Sequence, residues 1–319
     1  MGIESQNSDE QVVKILTSPT DAYEMVLRQI KEWPLAAKNY ADLSHCETKM
    51  VQIEGAWVRV QYNPNRIIST GAKVDPASIE KRKCFLCTEN LPAKQERLDF
   101  KDKYWVLCNP YPIFREHLTI ACKEHVKQDF LPHFDSFLEL TKTLDIYSVF
   151  YNGPQSGASA PDHLHFQAAS TGSMTLDDIV QQVPLCHQPA KVMTFNASFR
   201  NGYLIGGSDK KMLKIYVERL MSTFIKEEDE WEPKMNVFCY YRNNEWLIVL
   251  IPRRQHRPWQ YSAYDEDCFL SSPGAADIGG LFVTPRKEDY DRADADVLMD
   301  IYGQVCYSKE ELDRFSKKL

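Results

Sequence analysis

The sequence has no excess of positive charge and no long apolar segment. Lysine and arginine number 38 against 45 aspartates and glutamates, a net charge of −7. Proteins that bind nucleic acid usually carry a basic excess or stripe, so we expect no nucleic-acid partner. The longest apolar run, 246–251, has six residues. A membrane-spanning helix needs about 20, so we expect no membrane partner either.

The amino-terminal stretch MGIESQNSDEQ is polar and acidic. It lacks the apolar segment of a secretory signal, so we predict a cytoplasmic protein with a loose tail over residues 1–10. The nine cysteines are an odd number. In a reducing compartment, cysteines are expected to serve as metal ligands or buried thiols before they form disulfides.

Strand-like and helix-like patterns follow one another along the chain. The apolar share of 43% is that of an ordinary globular protein, and 319 residues correspond to two domains at about 150 residues each. Strand-like runs are predicted at 51–62, 104–108, 117–122, 146–151, 163–169, 237–241, 246–251 and 278–283, the first with a turn or bulge at Gly55. Helices are predicted at 11–33, 124–144, 212–224 and 292–306, the first interrupted near Ser18 and Pro19 and the second at Pro132.

A faint internal repeat links the two halves. One predicted strand pair ends in HLTIACKEH, with His125 last, and another ends in LIVLIPRRQH, with His256 last. The first half then continues through a helix, a strand and a loop into HLHFQA, whereas the second half has no histidines at that place. We interpret the chain as two related units, of which the second has lost the chemistry of the first.

Two histidines and a glutamine alternate with apolar residues in the segment HLHFQ. On a strand, residues two apart share a face, so His163, His165 and Gln167 are predicted to point one way. Leu164 and Phe166 are then predicted to point into a core. The alternative is a solvated strand face with incidental histidines.

The loop that precedes this segment, NGPQSGAS at 152–159, is rich in small residues. Small residues allow backbone N–H groups to approach an anion closely, which favours a phosphate site, although an ordinary flexible turn is the alternative. Neither G-x-x-x-x-G-K-[ST] nor G-x-G-x-x-G occurs. The loop is therefore neither a P-loop nor a dinucleotide-binding fingerprint.

The stretch NGPQSGASAPDHLHFQ resembles the active-site segment of the histidine-triad (HIT) superfamily. The match is to the transferase branch, which has H-x-H-x-Q where the hydrolases have a third histidine. Galactose-1-phosphate uridylyltransferases, diadenosine tetraphosphate phosphorylases and GDP-L-galactose or GDP-glucose phosphorylases carry similar segments. The likeness covers roughly 82–169. The sequence departs from the uridylyltransferase pattern at Asp162, where those enzymes have proline, which weakens any prediction of uridine or galactose specificity.

The resemblance implies an α+β, HIT-like fold in which helices pack on an antiparallel sheet. It further implies two tandem HIT-like units that form a pseudo-dimer. We predict a helical segment over 1–48, a catalytic unit over 49–200 and a degenerate unit over 201–319. The resemblance does not indicate an oligomeric state.

The resemblance also implies a reaction. His165 would take a nucleotidyl group from a nucleotide-sugar or a dinucleoside polyphosphate and pass it to phosphate or a sugar 1-phosphate. Gln167 would donate to a phosphoryl oxygen, Ser159 and the N–H groups near Gly157 would hold the others, and Asn152 would order the loop or touch the nucleotide. A hydrolase that uses water, and a non-catalytic zinc-stabilised nucleotide-binding module, remain as alternatives. Outside this segment, Arg66 is a candidate phosphate ligand, although surface arginines are far commoner.

A pair of cysteines with metal-ligand spacing precedes this segment. Cys84 and Cys87 form C-x-x-C, which suits a tetrahedral metal, and two structural thiols are the alternative. Zinc-bearing relatives add a histidine after the next strand and the first motif histidine, here His125 and His163. His117 is a competing ligand, but it lies nearer the strand start, where it could instead be structural or line the pocket. We predict a structural zinc, since four protein ligands leave no open position.

Overall fold

The strand and helix patterns assemble into one large and one small sheet in the computed structural model, which describes residues 13–71 and 74–316. The strands are β1 (Lys14–Ile15), β2 (Glu47–Ile53), β3 (Ala56–Tyr62), β4 (Arg97–Phe100), β5 (Tyr104–Cys108), β6 (His117–Cys122), β7 (Tyr147–Asn152), β8 (His165–Ser170), β9 (Lys191–Ala197), β10 (Arg200–Gly207), β11 (Met235–Arg242), β12 (Glu245–Pro252) and β13 (Leu281–Thr284). The loose tail predicted over 1–10 lies outside the described residues.

Helices cover both faces of the large sheet. They are α1 (Pro19–Glu32), α2 (Pro34–Ser44), α3 (Ile67–Thr70), α4 (Pro76–Glu80), α5 (Phe134–Thr143), α6 (Thr175–Gln181), α7 (Lys210–Thr223), α8 (Ala275–Ile278), α9 (Lys287–Arg292), α10 (Ala295–Val305) and α11 (Lys309–Ser316). None of the helices in the described ranges is long and apolar enough to cross a membrane.

Local capping and turn chemistry explains where several predicted elements differ from the observed ones. The helix predicted at 11–33, with an interruption near Ser18 and Pro19, begins at Pro19, because Ser18 and Asp21 form a capping box. The strand run predicted at 51–62, with a turn or bulge at Gly55, is a hairpin, since Glu54 and Gly55 both have positive φ, 45° and 86°. The helix predicted at 292–306 begins after Asp294, whose carboxylate accepts from a backbone N–H of the first turn.

The large sheet contains the same topology twice. Its order is β1-β4-β5-β6-β8-β7-β11-β12-β10-β9, and every pair except β1–β4 is antiparallel. Strands β5 and β6, helix α5 and strands β7 and β8 form one unit, and β9, β10, α7, β11 and β12 repeat its path. The inner strands β7 and β11 pair with each other. The two-unit, antiparallel α+β fold predicted from the sequence is confirmed.

The register of the repeat differs from the predicted one. We matched the segments that end at His125 and His256, which follow β6 and β12, but the topology matches β6 with β10 and β8 with β12. That match was wrong because both segments are apolar strands followed by basic residues, and composition does not record strand order. The division into 1–48, 49–200 and 201–319 stays a prediction. Its second boundary falls inside β10 (Arg200–Gly207), and the topology favours a boundary before β9.

The two faces of the large sheet carry separate cores. Helices α1, α5, α7 and α11 cover one face, which receives Leu164, Phe166 and Ala168 from the β8 region, as predicted for the first two. The small sheet β13-β3-β2 and helices α8 and α10 cover part of the other face. Alternation along β8 therefore places His165 and Gln167 on the small-sheet side.

The second unit fills this face with apolar side chains. Gln167 pairs with Phe150, Phe150 with Phe238, and Phe238 with Val249, so all four residues lie on one face. Val249 and its alternate neighbours Leu247 and Ile251 are fully buried under the small sheet and α10. The first unit carries polar residues on this face. In the second unit the equivalent face is apolar and is covered by the small sheet and α10.

Candidate active site and metal centre

Four polar side chains form a strip on the small-sheet side of β6 and β8. We call His117, Thr119, His165 and Gln167 the polar strip. Thr119 pairs directly with Gln167, and Ala121 with His165, so these side chains share one face. An apolar cluster with Leu107, Ala121 and the two C-x-x-C cysteines lies on one side. The larger cluster with Phe114, Phe150 and Ala169 lies on the other.

His165 is held in one tautomer. Its Nδ1 lies 2.9 Å from the carbonyl oxygen of His163, so Nδ1 carries the proton and donates it. The lone pair is therefore on Nε2. The side chain is only 4% exposed, and burial lowers the pKa of His165 to about 4. A neutral imidazole with a free Nε2 lone pair is a nucleophile.

A relay of hydrogen bonds orients the amide of Gln167. The backbone N–H of Ile113 donates to Nδ1 of His117 at 3.3 Å, so the proton of His117 is on Nε2. That Nε2 donates to Oε1 of Gln167 at 2.9 Å. The NH₂ group of Gln167 is left to donate outwards. His117, considered above as a competing metal ligand, instead positions Gln167.

His163 faces a different set of groups. It precedes β8, which begins at His165, and its Nε2 donates to the carbonyl oxygen of Cys122 at 2.7 Å. This bond leaves the Nδ1 lone pair for a ligand. Nδ1 lies 3.3 Å from Sγ of Cys84, 3.6 Å from Sγ of Cys87 and 3.3 Å from Nδ1 of His125.

The four predicted ligand residues meet at one point. Sγ of Cys87 lies 3.1 Å from Nδ1 of His125, and all four ligand atoms of Cys84, Cys87, His125 and His163 are within 4.8 Å of one another. Zinc bonds of 2.0–2.3 Å in a tetrahedron separate ligand atoms by about 3.3–3.8 Å. The group therefore fits a metal ion. Three of the ligands are buried, and His125 is exposed.

The loop between β7 and β8 is tied to the carboxyl-terminal half. Oδ1 of Asn152 accepts from Nδ2 of Asn236 at 2.9 Å and from the N–H of Ala275 at 2.7 Å. Buried Arg253 donates to Oδ1 of Asn236 at 2.7 Å. Asn152 thus ties the start of the loop to the second half of the chain. Its predicted role, to order the loop or touch the nucleotide, stays a prediction.

The loop also requires glycine at one position. Gly157 has φ +99°, and a Cβ there would lie 2.3 Å from Cα of Gly274. No L side chain fits this position. Ser159 is half-buried two residues later. The loop backbone is therefore held closely against the second half of the chain.

Arg66 borders the polar strip. It ends the short turn Pro64–Arg66, and its Nη1 donates to the carbonyl oxygen of Tyr111 at 3.0 Å. Its positive charge adds to the effect of burial in lowering the pKa of His117 to about 3. Arg66 is therefore close enough to His117 to act on it electrostatically, and its predicted role as a phosphate ligand stays a prediction.

Sequence reasoning missed a glutamine that clamps β8 to β7. Gln128 is fully buried. Its Nε2 donates to the carbonyl oxygens of Asn152 at 2.8 Å and His165 at 3.0 Å, and its Oε1 accepts from the N–H of His165 at 2.8 Å. Gln128 lies in a segment read as an amphipathic helix, and a lone glutamine there carries no signal.

We expect Gln128→Leu to lower the free energy of unfolding by about 3 kcal/mol, because it leaves three buried backbone groups around His165 and Asn152 without partners. Denaturant unfolding measures the change. Gln52→Leu, at an exposed position on β2, is the matched control and should shift stability by under about 0.5 kcal/mol. Equal effects of the two substitutions would disprove the clamp.

The buried His117 predicts a pH dependence of stability. Burial lowers its pKa from 6.5 to about 3. Below its ordinary pKa the unfolded chain binds a proton that the folded protein does not. The stabilisation is therefore complete above pH 6.5 and is lost as the pH falls towards 3, by about 1.4 kcal/mol per pH unit. We expect His117→Gln to show a shallower fall of unfolding free energy between about pH 6 and pH 4, and parallel curves would refute this.

Comparison with known proteins gives the fold. Residues 25–170 match the family model of a domain of unknown function, DUF4922. No curated protein matches the sequence.

Three solved structures of yeast Ap4A phosphorylase Apa2 align over most of the chain. One is 17% identical, covers 90% of this chain and 97% of the yeast chain, and has a TM-score of 0.58. The complex with AMP is 16% identical, covers 92% and 98%, and has a TM-score of 0.57. The complex with Ap4A is 18% identical, covers 88% and 97%, and has a TM-score of 0.54. The chain therefore has the fold of these solved structures, which agrees with the two-unit HIT-like fold that its sequence predicts.

Proposed function

We propose that this protein is a nucleotidyltransferase of the phosphorylase type. It takes a nucleotidyl group from a nucleotide-sugar or a dinucleoside polyphosphate onto His165 and passes it to phosphate or a sugar 1-phosphate. The proposal rests on two side chains on the same face of β8, of which one offers a lone pair and the other offers hydrogen-bond donors. His165 presents a lone pair, and Gln167 presents donor hydrogens beside it.

In the first step, Nε2 of His165 attacks the α-phosphorus and forms a P–N bond. The P–O bond to the leaving group breaks, and that group departs with its electron pair as a sugar 1-phosphate from a nucleotide-sugar, or as a nucleoside polyphosphate from a dinucleoside polyphosphate. The proton on Nδ1 stays in place. Its hydrogen bond to the carbonyl oxygen of His163 stabilises the positive charge that the ring acquires.

In the second step, an oxygen of the acceptor attacks the same phosphorus and the P–N bond breaks. With phosphate as the acceptor, the product is a nucleoside diphosphate. Gln167 and Thr119 are neutral, so neither supplies an acidic proton. A leaving group and an acceptor that are themselves phosphates need none, which favours them over water.

The remaining predicted residues would hold the substrate. Ser159 and backbone N–H groups near Gly157 would bind phosphoryl oxygens, and Arg66 would balance their charge. Asn152 would keep the loop in place through Asn236 and Ala275.

The cysteine–histidine group would hold zinc through Cys84, Cys87, His125 and His163. Zinc with four protein ligands supplies structure only. It would fix the C-x-x-C segment beside the start of β8, and so the carbonyl oxygen of His163 that orients His165. None of the nine cysteines forms a disulfide, which fits our proposal of a cytoplasmic location.

The test is product analysis with α-labelled ATP, GDP-sugars, UDP-sugars and Ap4A, each with and without inorganic phosphate. We expect a labelled nucleoside diphosphate only when phosphate is present. Nucleoside monophosphate in equal amount with and without phosphate would instead identify a hydrolase. Tight binding without any product would identify a non-catalytic module.

A further inference from the structure

Thr119 makes an unusual hydrogen bond for a buried threonine. Three other buried threonines donate their hydroxyl to a backbone carbonyl: Thr141 to Phe137, Thr175 to Trp57 and Thr284 to Gln61. Thr119 is 9% exposed. It accepts from Nδ2 of Asn109 at 3.0 Å, and within the described ranges its own hydroxyl hydrogen has no acceptor.

The position of Thr119 directs this hydrogen towards the site. Thr119 pairs with Gln167 across β6 and β8, so their Cβ atoms are about 5 Å apart on one face. Asn109 cannot turn over to offer its oxygen, because Oδ1 accepts from the N–H of Tyr111 at 2.9 Å. The amide therefore donates to Thr119, and the hydroxyl is left as a donor.

Two parallel relays thus begin in the connection between β5 and β6. In the first, the N–H of Tyr111 orients the amide of Asn109, which in turn orients the hydroxyl of Thr119. In the second, the N–H of Ile113 orients the ring of His117, which in turn orients the amide of Gln167. Each relay ends in a donor hydrogen on the face of the sheet that carries His165. Oxygens of a phosphoryl group around an electrophilic phosphorus match this arrangement.

We propose that the Thr119 hydroxyl is a second donor to the phosphoryl group bound by Gln167, and that Asn109 positions it. This inference rests on the proposed function. A threonine on a strand also suits the pleated surface for steric reasons alone. The hydroxyl and the β-branch must therefore be tested separately.

Thr119→Val keeps the β-branch and removes the hydroxyl, whereas Thr119→Ser keeps the hydroxyl and removes the methyl group. We expect Thr119→Val to lower kcat for nucleotidyl transfer by about 100-fold with little change in KM, as for loss of one oxyanion donor. Thr119→Ser should stay near the wild-type rate, and Asn109→Ala should fall between the two Thr119 variants. A wild-type rate for Thr119→Val, or equal losses for Thr119→Val and Thr119→Ser, would overturn the proposal.

Failure of the proposed function gives a different result. If the wild-type protein forms no nucleotidyl-enzyme, binding of AMP, GMP and UMP to the wild type and both Thr119 variants is measured by calorimetry. Weaker binding by Thr119→Val than by Thr119→Ser would support the role of the Thr119 hydroxyl as a donor in a binding site. Equal affinities, or no binding of any of the three nucleotides, would overturn it. Thermal unfolding of both variants checks that each is folded.

Discussion

Replacing His165 by alanine is expected to lower the rate of nucleotidyl transfer at least about a thousandfold. The substitution removes the Nε2 lone pair and leaves the carbonyl oxygen of His163 without its imidazole donor. No other described group of the polar strip offers a comparable nucleophile, because His117 is engaged at both nitrogens. Steady-state turnover of the substrate identified by product analysis gives the rate.

His45→Ala is the control for this substitution. His45 is exposed at the end of α2, outside the polar strip, and its loss should leave turnover unchanged. Thermal unfolding of both variants separates loss of chemistry from loss of fold. Turnover by His165→Ala at the rate of His45→Ala would exclude His165 as the nucleophile.

Removing a ligand of the metal centre is expected to have the largest effect on stability. We expect one zinc ion per chain in the wild type and none in Cys84→Ala. When free zinc is present at about a thousandfold its Kd, binding stabilises the folded state by about 4 kcal/mol, and the variant should lose that stabilisation. Elemental analysis and denaturant unfolding measure the two quantities.

Cys46→Ala provides the comparison for this variant. Cys46 is half-buried at the end of the α2 region and outside the ligand group. It should keep the zinc, and chelation should lower the stability of this control and of the wild type but not of Cys84→Ala. A wild-type zinc content near zero after careful handling, or equal responses to chelation, would contradict the metal centre.

The sequence predicts the chemistry-bearing segment of the site because the relevant signals are local. Alternation in HLHFQ places His165 and Gln167 on one face, and Leu164 and Phe166 lie in the opposite core. The C-x-x-C spacing and the positions of His125 and His163 identify the ligand group that the fold brings together.

The sequence does not predict the groups that hold these residues in place. Gln128, His117 and Asn109 act through strand pairing and turns that bring distant segments together. Their residue types are common on any surface. The predicted register of the internal repeat is wrong because strand order also depends on pairing between distant segments, which composition does not reveal.

The fold gives a physical reason why the equivalent face of the second unit is apolar. The face that carries His165 and Gln167 in the first unit carries Leu247, Val249 and Ile251 in the second. The small sheet, built from both ends of the chain, covers these residues. A polar group at any of these positions would be buried away from solvent. Without a hydrogen-bond partner, each such group would cost about 1–3 kcal/mol.

The most direct test of the account is to locate the covalent intermediate. The protein is mixed with α-labelled donor in the absence of acceptor, digested and mapped by mass spectrometry. We expect one acid-labile nucleotidyl adduct, on His165, that disappears when phosphate is added. An adduct on another residue, or product formation without any adduct, would contradict it.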